Sequence, residues 1–280
     1  MKIYDCFMFW NELEILYIRL DTLYEYVDKF IICESKESHS KRITKKEYVF
    51  IENKQLYEKF MDKIIFIPVD TLPFEGDFTL DSNNKASCDN WKNENWQRKH
   101  LFSVIKDLND DDIIAISDMD EIYDPSNIQD IISSVDKYKI VGIKHKLFYY
   151  YVNNLKKQIW EGSFFCRKRT IVSEDVIQEL RNTRTCLPYY VTGGWHYSWM
   201  GGENKICEKF QILVEHDLNA PFNNKEHIKN VLENNLDLFN RDGYYGSSEL
   251  IDIHVNNNAP KNIDEYIKLF PIIWYVPPSV

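Results

Sequence analysis

Apolar and polar positions alternate along the first half of the chain in blocks that predict strands connected by helices. Residues 3–9 form an apolar run typical of a strand. Residues 11–26 repeat apolar positions at helical spacing, with Asn11 as the expected N-cap. A second apolar run at residues 30–35 completes a strand–helix–strand unit, which predicts parallel strands covered by helices.

The same alternation continues to residue 122. We expect a third strand at residues 63–70, a helix at residues 91–108 and a fourth strand within residues 111–122. Residues 71–90 are predicted to form a long polar loop, and long loops in compact α/β domains are often functional.

The second half of the chain has a different pattern. Two strand-like segments at residues 139–154 and 158–168 predict a mixed or antiparallel extension of the sheet. A glycine-rich aromatic segment follows at residues 193–205, and residues 223–275 are expected to be largely helical. Without a repeat or a clear linker, the sequence favours one α/β domain over residues 1–280, with a mostly parallel sheet and a helical C-terminal tail.

Charge and cysteine usage narrow the class of protein. The 34 basic and 44 acidic residues give a net charge of −10, which argues against nucleic acid as the main partner. Six scattered cysteines form no CxxC pair, which favours a reducing compartment. The apolar stretches are too short for a secretory signal or an integral membrane segment, so we expect a cytoplasmic protein.

The fourth predicted strand ends in the acidic sequence SDMDEI. Asp118 and Asp120 lie two apart, so on an extended chain they face the same side, whereas Glu121 should face the other way. Neighbouring carboxylates repel each other, and a divalent cation that binds their oxygen atoms relieves that repulsion. Because ligands of open parallel sheets bind beyond the carboxyl ends of the strands, the same edge should collect several polar residues. These are Asn11, Glu12, Glu34, Asp70 and Asp118.

Two further residues have both a structural and a functional interpretation. His196, between two tryptophans in GGWHYSW, is either a hydrogen-bonded structural residue or a neutral imidazole that completes the coordination of a metal. Arg98 lies four residues after Glu94 on the predicted helix. It either supports that helix through an ion pair or contacts phosphate or sugar hydroxyls.

A sugar transfer that inverts the anomeric centre also needs a base for the acceptor hydroxyl. The candidates are Glu161, Glu203 and Asp217, and the sequence does not choose among them.

Three motifs together resemble glycosyltransferase family 17: the block from Asn11 to Ser35, the SDMDEI strand end and GGWHYSW. The resemblance extends from about residue 3 to about residue 270 in the same order. It implies a GT-A-like, Rossmann-like fold, a nucleotide-sugar donor such as a UDP-sugar, and a divalent cation, Mn²⁺ or Mg²⁺.

The resemblance also implies roles for particular residues. By motif position it assigns the metal to Asp118 and Asp120, with His196 completing the site. It places Asn11, Glu12 and Glu34 in the donor or metal site. It further suggests a nucleotide-sugar-binding half at residues 1–125, an acceptor and metal-completing half at 126–222, and a helical extension at 223–280.

The family's known activity adds bisecting N-acetylglucosamine to the β-mannose of N-glycan cores. We expect no membrane anchor of the kind that animal members carry, and the 71–90 loop and the tail look unlike theirs. We therefore expect a microbial or viral enzyme, and we carry over neither the acceptor glycan nor the donor sugar.

Two other classes remain open on sequence grounds. In a haloacid-dehalogenase-like phosphatase, Asp118 would be the nucleophile and Asp120 the general acid beside Mg²⁺. That motif usually has Thr or Val at the fourth position after the first Asp, where this chain has Ile122. A non-catalytic sugar-binding protein would use the aromatic residues for stacking and would need neither metal nor nucleotide.

Overall fold

Nine strands form one mixed sheet in the part of the chain that the computed structural model describes, residues 1–76, 88–214, 220–241 and 243–276. The strands are β1 Ile3–Phe9, β2 Lys29–Ser35, β3 Ile64–Val69, β4 Ile113–Asp118, β5 Glu121–Tyr123, β6 Ile140–Tyr149, β7 Asn154–Arg167, β8 Tyr190–Ser198 and β9 Ser248–Leu250. The helices are α1 Leu13–Leu23, α2 Val49–Glu52, α3 Asp89–His100, α4 Phe102–Ile105, α5 Ile128–Tyr138, α6 Glu174–Asn182, α7 Gly202–Ile212, α8 Lys225–Asn234, α9 Gly243–Gly246 and α10 Ile263–Leu269. Short 3₁₀ segments join several of them, and the longest is Lys54–Lys63.

The strands follow the order β3-β2-β1-β4-β7-β6-β8-β5, and β9 pairs with β7. Strand β1 runs parallel to β2 and to β4, and β2 runs parallel to β3. The predicted strand–helix–strand units are therefore confirmed. This arrangement brings the carboxyl ends of four parallel strands to one edge, where an open sheet binds its ligands.

The second half of the chain extends the sheet in mixed directions. Strand β7 is antiparallel to β4 and β6, whereas β6 and β8 are parallel. The predicted mixed, α/β architecture is confirmed. Among the described helices, none combines the length and the apolar character that crossing a membrane requires.

Helices cover both faces of the central strands. On one face, Leu16 and Leu20 of α1 belong to the same buried cluster as Phe7 and Phe30. On the other face, Leu101 lies with residues of β1, β4 and α6 in a second cluster. Burial on both faces explains why these strands appear in the sequence as continuous apolar runs instead of alternating ones.

Two boundary predictions are wrong, and the predicted helical tail also contains a strand. Helix α1 begins at Leu13 with Glu12 as its N-cap, and no side chain of the described residues caps it. Asn11 therefore precedes the cap, and its backbone N–H donates to Oε2 of Glu12 at 3.1 Å. The helix predicted at residues 91–108 is divided into α3 and α4 around Leu101. The tail contains helices α8 and α10, but also strand β9, which completes hydrogen bonding along part of β7.

The acidic strand end also departs from its prediction. Strand β4 ends at Asp118, a turn occupies Met119 and Asp120, and the chain becomes extended again in β5, which pairs with β8. Asp118 and Asp120 therefore do not lie along one extended strand. The turn sets their directions, and its geometry depends on contacts from distant parts of the chain.

Candidate functional site

A cavity of about 340 Å³ opens at the carboxyl ends of β1, β2 and β4. This volume lies within the range of roughly 300–1,000 Å³ that is common for small-molecule sites. Its wall combines residues that follow the three strands with residues from α3, β7, β8 and α7. The polar and aromatic members include Trp10, Glu12, Glu37, His39, Glu94, Gln97, Arg98, Asp118, Asp120, Trp160, His196, Trp199 and Lys209.

A buried arginine holds the backbone of residues 118–121, which we call the acidic turn. Arg19 of α1 pairs with Asp5, with Nε and Nη2 donating to the two carboxylate oxygens at 2.7 and 2.6 Å. Its Nη1 donates to the backbone carbonyls of Asp118, Met119 and Glu121 at 2.9–3.0 Å. Burial alone would lower the pKa of Arg19, but the negative charge of Asp5 outweighs it and raises that pKa. The turn is therefore held by a guanidinium that stays charged.

Asp118 lies between two arginines. Nη2 of Arg181, from α6, donates to Oδ2 of Asp118, and Nη2 of Arg98 lies 3.4 Å from Oδ1. Burial would raise the pKa of Asp118, yet the charges of Arg181 and Arg98 hold it below its ordinary value. Asp118 is consequently ionised at neutral pH and is neutralised by the chain itself.

Asp120 has different partners on its two carboxylate oxygens. His196 Nε2 lies 3.3 Å from Oδ1, and Lys209 Nζ lies 3.4 Å from Oδ2. The β5–β8 pairing brings His196 to this position from a part of the chain that is remote in sequence. Burial favours the neutral acid, but His196 and Lys209 together lower the pKa of Asp120. The cavity therefore contains a carboxylate that stays charged at neutral pH.

Glu121 does not line the described cavity wall, but it organises the side chains that do. It is fully buried and accepts hydrogen bonds from the Asp118 N–H at 2.9 Å and from Trp160 Nε1 at 2.7 Å. Arg181 Nη1 lies 3.3 Å from the same carboxylate. The prediction that Glu121 turns away from Asp118 thus misses its function, because Glu121 links the turn, the indole and the arginine.

Gly162 gives a test of this organisation. A Cβ at residue 162 would lie 2.2 Å from Oε1 of Glu121 and 2.6 Å from Nε1 of Trp160. We expect Gly162→Ala to displace Glu121 and to cost about 1–3 kcal/mol of unfolding free energy, as in other overpacked sites. Urea denaturation followed by tryptophan fluorescence measures this loss. Ile159→Ala is the matched control, since Ile159 lies on the same strand with 54% of its surface exposed; an equal loss in both variants would contradict the assignment.

The cavity brings together five of the residues that were singled out from the sequence: Glu12, Arg98, Asp118, Asp120 and His196. The predicted ion pair of Arg98 with Glu94 is present at 2.6 Å, and Arg98 also lies 3.4 Å from Asp118 at the cavity wall. Its contact with phosphate or sugar hydroxyls stays a prediction.

Two other predicted donor-site residues lie elsewhere. Asn11 lines a smaller neighbouring pocket together with Lys205. Glu34 is fully buried, where Lys45 Nζ donates to it at 2.6 Å and the N–H groups of Val49 and Phe50 donate to its two oxygens. The geometry of Glu34 is therefore that of a residue which anchors the segment after β2.

Of the three candidate bases, Glu161 and Glu203 are described by the structure, and both lie outside the cavity wall. Glu161 pairs with Lys144 at 3.1 Å, and Glu203 lies in the first turn of α7. Neither belongs to the cavity wall in the part of the chain described. Asp217 lies outside the described residues.

The donor atoms around Asp120 are compatible with a divalent cation that shares its coordination with a ligand. Within the described ranges, no group of three or more His, Cys, Asp or Glu side chains is arranged to hold a metal. The carboxylate of Asp120 and Nε2 of His196 nevertheless adjoin each other at the cavity wall. Mg²⁺ commonly takes one or two protein carboxylates and completes its shell with substrate phosphates and water. The residues present fit that kind of site.

Four residues of the site were not predicted from the sequence: Arg19, Trp160, Arg181 and Lys209. Only Arg19 could have been found from the pattern, because it lies at helical spacing from Ile15 and Leu23 on the apolar face of α1. No sequence pattern indicated the other three residues, because their roles come from contacts between segments that are distant along the chain.

Comparison with known proteins places this chain among sugar-transferring enzymes. Residues 1–251 match the family described as Glycosyltransferase family 17. No curated protein is significantly similar to the chain.

Solved structures are similar to the chain at low identity. Staphylococcus aureus TarS 1-349 in complex with UDP-GlcNAc is 10% identical, with 84% of this chain and 71% of that chain covered and a TM-score of 0.40. The 2-C-methyl-D-erythritol 4-phosphate cytidylyltransferase of Francisella tularensis is 10% identical, with 76% and 100% covered and a TM-score of 0.36. The mannose-6-phosphate isomerase of Helicobacter pylori is 11% identical, with 61% and 72% covered and a TM-score of 0.36.

Proposed function

The chain belongs to glycosyltransferase family 17 and is a glycosyltransferase, and we propose that it transfers a sugar from a UDP-sugar to a glycan hydroxyl with inversion, assisted by Mn²⁺ or Mg²⁺. The observation that carries this proposal is the ionised Asp120 beside His196 in a cavity at the carboxyl ends of parallel strands. A cytoplasmic location is part of the same proposal.

Charge complementarity supports a diphosphate ligand. The cavity wall carries the cationic side chains of Arg98 and Lys209 in addition to the acidic turn. A cation at Asp120 and His196 would neutralise the diphosphate and stabilise it as a leaving group. Arg98, held by Glu94 and Asp118, is positioned to donate to phosphate or sugar oxygens.

Aromatic residues support a sugar next to the acidic turn. Trp160 and Trp199 both line the cavity, and the Trp160 ring lies 4.6 Å from the His196 ring, centroid to centroid. The hydrogen bond from Trp160 Nε1 to Glu121 fixes that indole. An indole held in this way offers a rigid apolar surface for a pyranose ring and excludes water from the reacting centre. We assign Asp118 to a helping role, in which it accepts a hydrogen bond from ribose or from water.

The inverting step requires one carboxylate to take the proton of the acceptor hydroxyl as its oxygen attacks the anomeric carbon. Asp217 is kept as a candidate base on sequence grounds alone. Glu161 and Glu203 are weaker candidates, because neither is part of the described cavity wall.

Calorimetric titration of UDP and a panel of UDP-sugars, with and without Mn²⁺, tests the proposal. We expect binding that is at least about tenfold tighter with Mn²⁺, which corresponds to about 1.4 kcal/mol. Absence of binding under both conditions would contradict the donor class. Binding that is equally tight without Mn²⁺ would contradict the proposal that a divalent cation assists donor binding. Phosphate release from a phosphomonoester panel would instead support the phosphatase alternative.

A further inference from the structure

Lys209 and His196 contact opposite oxygens of the same carboxylate. Lys209 reaches the cavity from α7, its Nζ lies 3.4 Å from Oδ2 of Asp120, and its side chain is 23% exposed. The indole of Trp199 lies 5.4 Å from the same ammonium, measured to the ring centroid. The ammonium is therefore held at the carboxylate that the proposed function assigns to the cation.

We propose that Lys209 is a tethered competitor of the divalent cation, and that the donor diphosphate relieves the competition by accepting the displaced ammonium. This inference rests on the proposed function, because it assumes that a cation and a diphosphate share this cavity. Its consequence is that cation binding and nucleotide binding are coupled: each is weak alone and each strengthens the other.

The electrostatics of the cavity favour this coupling. Lys209 forms an ion pair with Asp120 and so neutralises the charge of that carboxylate. A cation that arrives alone must break this ion pair and leave the ammonium in a largely enclosed wall without that partner, which costs free energy. A diphosphate offers new oxygen acceptors to the same ammonium, so the cost disappears when both ligands are present. Equilibrium coupling of this kind is reciprocal and commonly amounts to about 5–150-fold.

The test compares Mn²⁺ binding to wild-type protein and to Lys209→Met, with and without UDP, through the electron paramagnetic resonance signal of free Mn²⁺. Without UDP, we expect Lys209→Met to bind Mn²⁺ at least about fivefold more tightly than wild type. The strengthening of Mn²⁺ binding by UDP should shrink by a similar factor. Lys209→Arg retains the positive charge and should keep Mn²⁺ binding weak in the absence of UDP.

Lys205→Met is the matched control. Lys205 lies one turn earlier on α7 and donates to Glu14 Oε2 and the Asn11 carbonyl at 2.9 and 2.8 Å. We expect its loss to leave Mn²⁺ affinity unchanged. Thermal unfolding of every variant checks that the fold is intact.

Two results would overturn the inference about Lys209. The first is that Lys209→Met binds Mn²⁺ no more tightly than wild type in the absence of UDP. The second is that Lys205→Met gains as much Mn²⁺ affinity as Lys209→Met. Both are distinct from failure of the proposed function, in which wild-type protein with UDP present would bind no Mn²⁺ at all.

Discussion

Asp120→Asn is expected to reduce the release of UDP from the donor by at least about a hundredfold while leaving the protein folded. Asparagine has nearly the same shape but no charge, so it cannot neutralise a cation beside His196. Loss of one preorganised electrostatic contact at a reacting centre commonly costs about 10²–10³-fold in rate. The measurement is enzyme-coupled detection of UDP from a UDP-sugar in the presence of Mn²⁺.

Asp110→Asn is the control for this variant, because it makes the same substitution at a surface carboxylate that pairs with Lys168, is 70% exposed and is not part of the described cavity wall. We expect its rate of UDP release to stay within about threefold of wild type, an allowance of about 0.7 kcal/mol in activation free energy. If Asp120→Asn retained the wild-type rate, Asp120 would have no role in the reaction.

Arg19→Met is expected to lower the unfolding free energy by about 3–5 kcal/mol, the usual cost of removing one partner of a buried ion pair. Both Arg19 and Asp5 have fully buried side chains, so the variant leaves Asp5 as an uncompensated buried charge. It also removes the donor to three carbonyls of the acidic turn. Urea denaturation at pH 7 measures the loss.

The matched control is Arg169→Met, which removes an arginine from a surface pair with Asp111 whose two side chains are 54% and 72% exposed. Such a pair contributes about 0–1 kcal/mol. The double variant Asp5→Leu/Arg19→Met should recover part of the stability, since the buried charge is gone but the turn carbonyls still lack their donor. Full recovery would contradict a role for Arg19 in holding the turn.

The parallel pairing of strands β1 to β4 was predictable because it follows from the hydrophobic pattern of short segments. Each strand from β1 to β4 is an apolar run, and the helical periodicity of α1 between two such runs implies parallel pairing. The position of Asp118 at the binding edge followed from strand order alone. The same reasoning placed Arg98 near the ligand edge, since it lies on the helix that precedes β4.

The conformation of the acidic turn was not predictable from local pattern. An extended chain through Asp120 was the simplest prediction, whereas three carbonyls of the turn bond to an arginine about 100 residues earlier. The partners of Asp118 and Asp120, Arg181 and Lys209, come from helices after β7 and β8. Glu34 looked like a site residue because it ends a strand, but its carboxylate anchors a backbone segment instead.

The most direct test of the proposed site is pulsed electron paramagnetic resonance of Mn²⁺ in the presence of UDP and protein whose histidines carry ¹⁵N. We expect ³¹P coupling from the diphosphate together with ¹⁵N coupling from one histidine, and we expect His196→Gln to remove the nitrogen coupling. The ¹⁵N coupling should persist in His254→Gln, since the His254 side chain is 58% exposed and adjoins Asp264. Absence of the ³¹P coupling, or a nitrogen coupling that survives in His196→Gln, would contradict the proposed site.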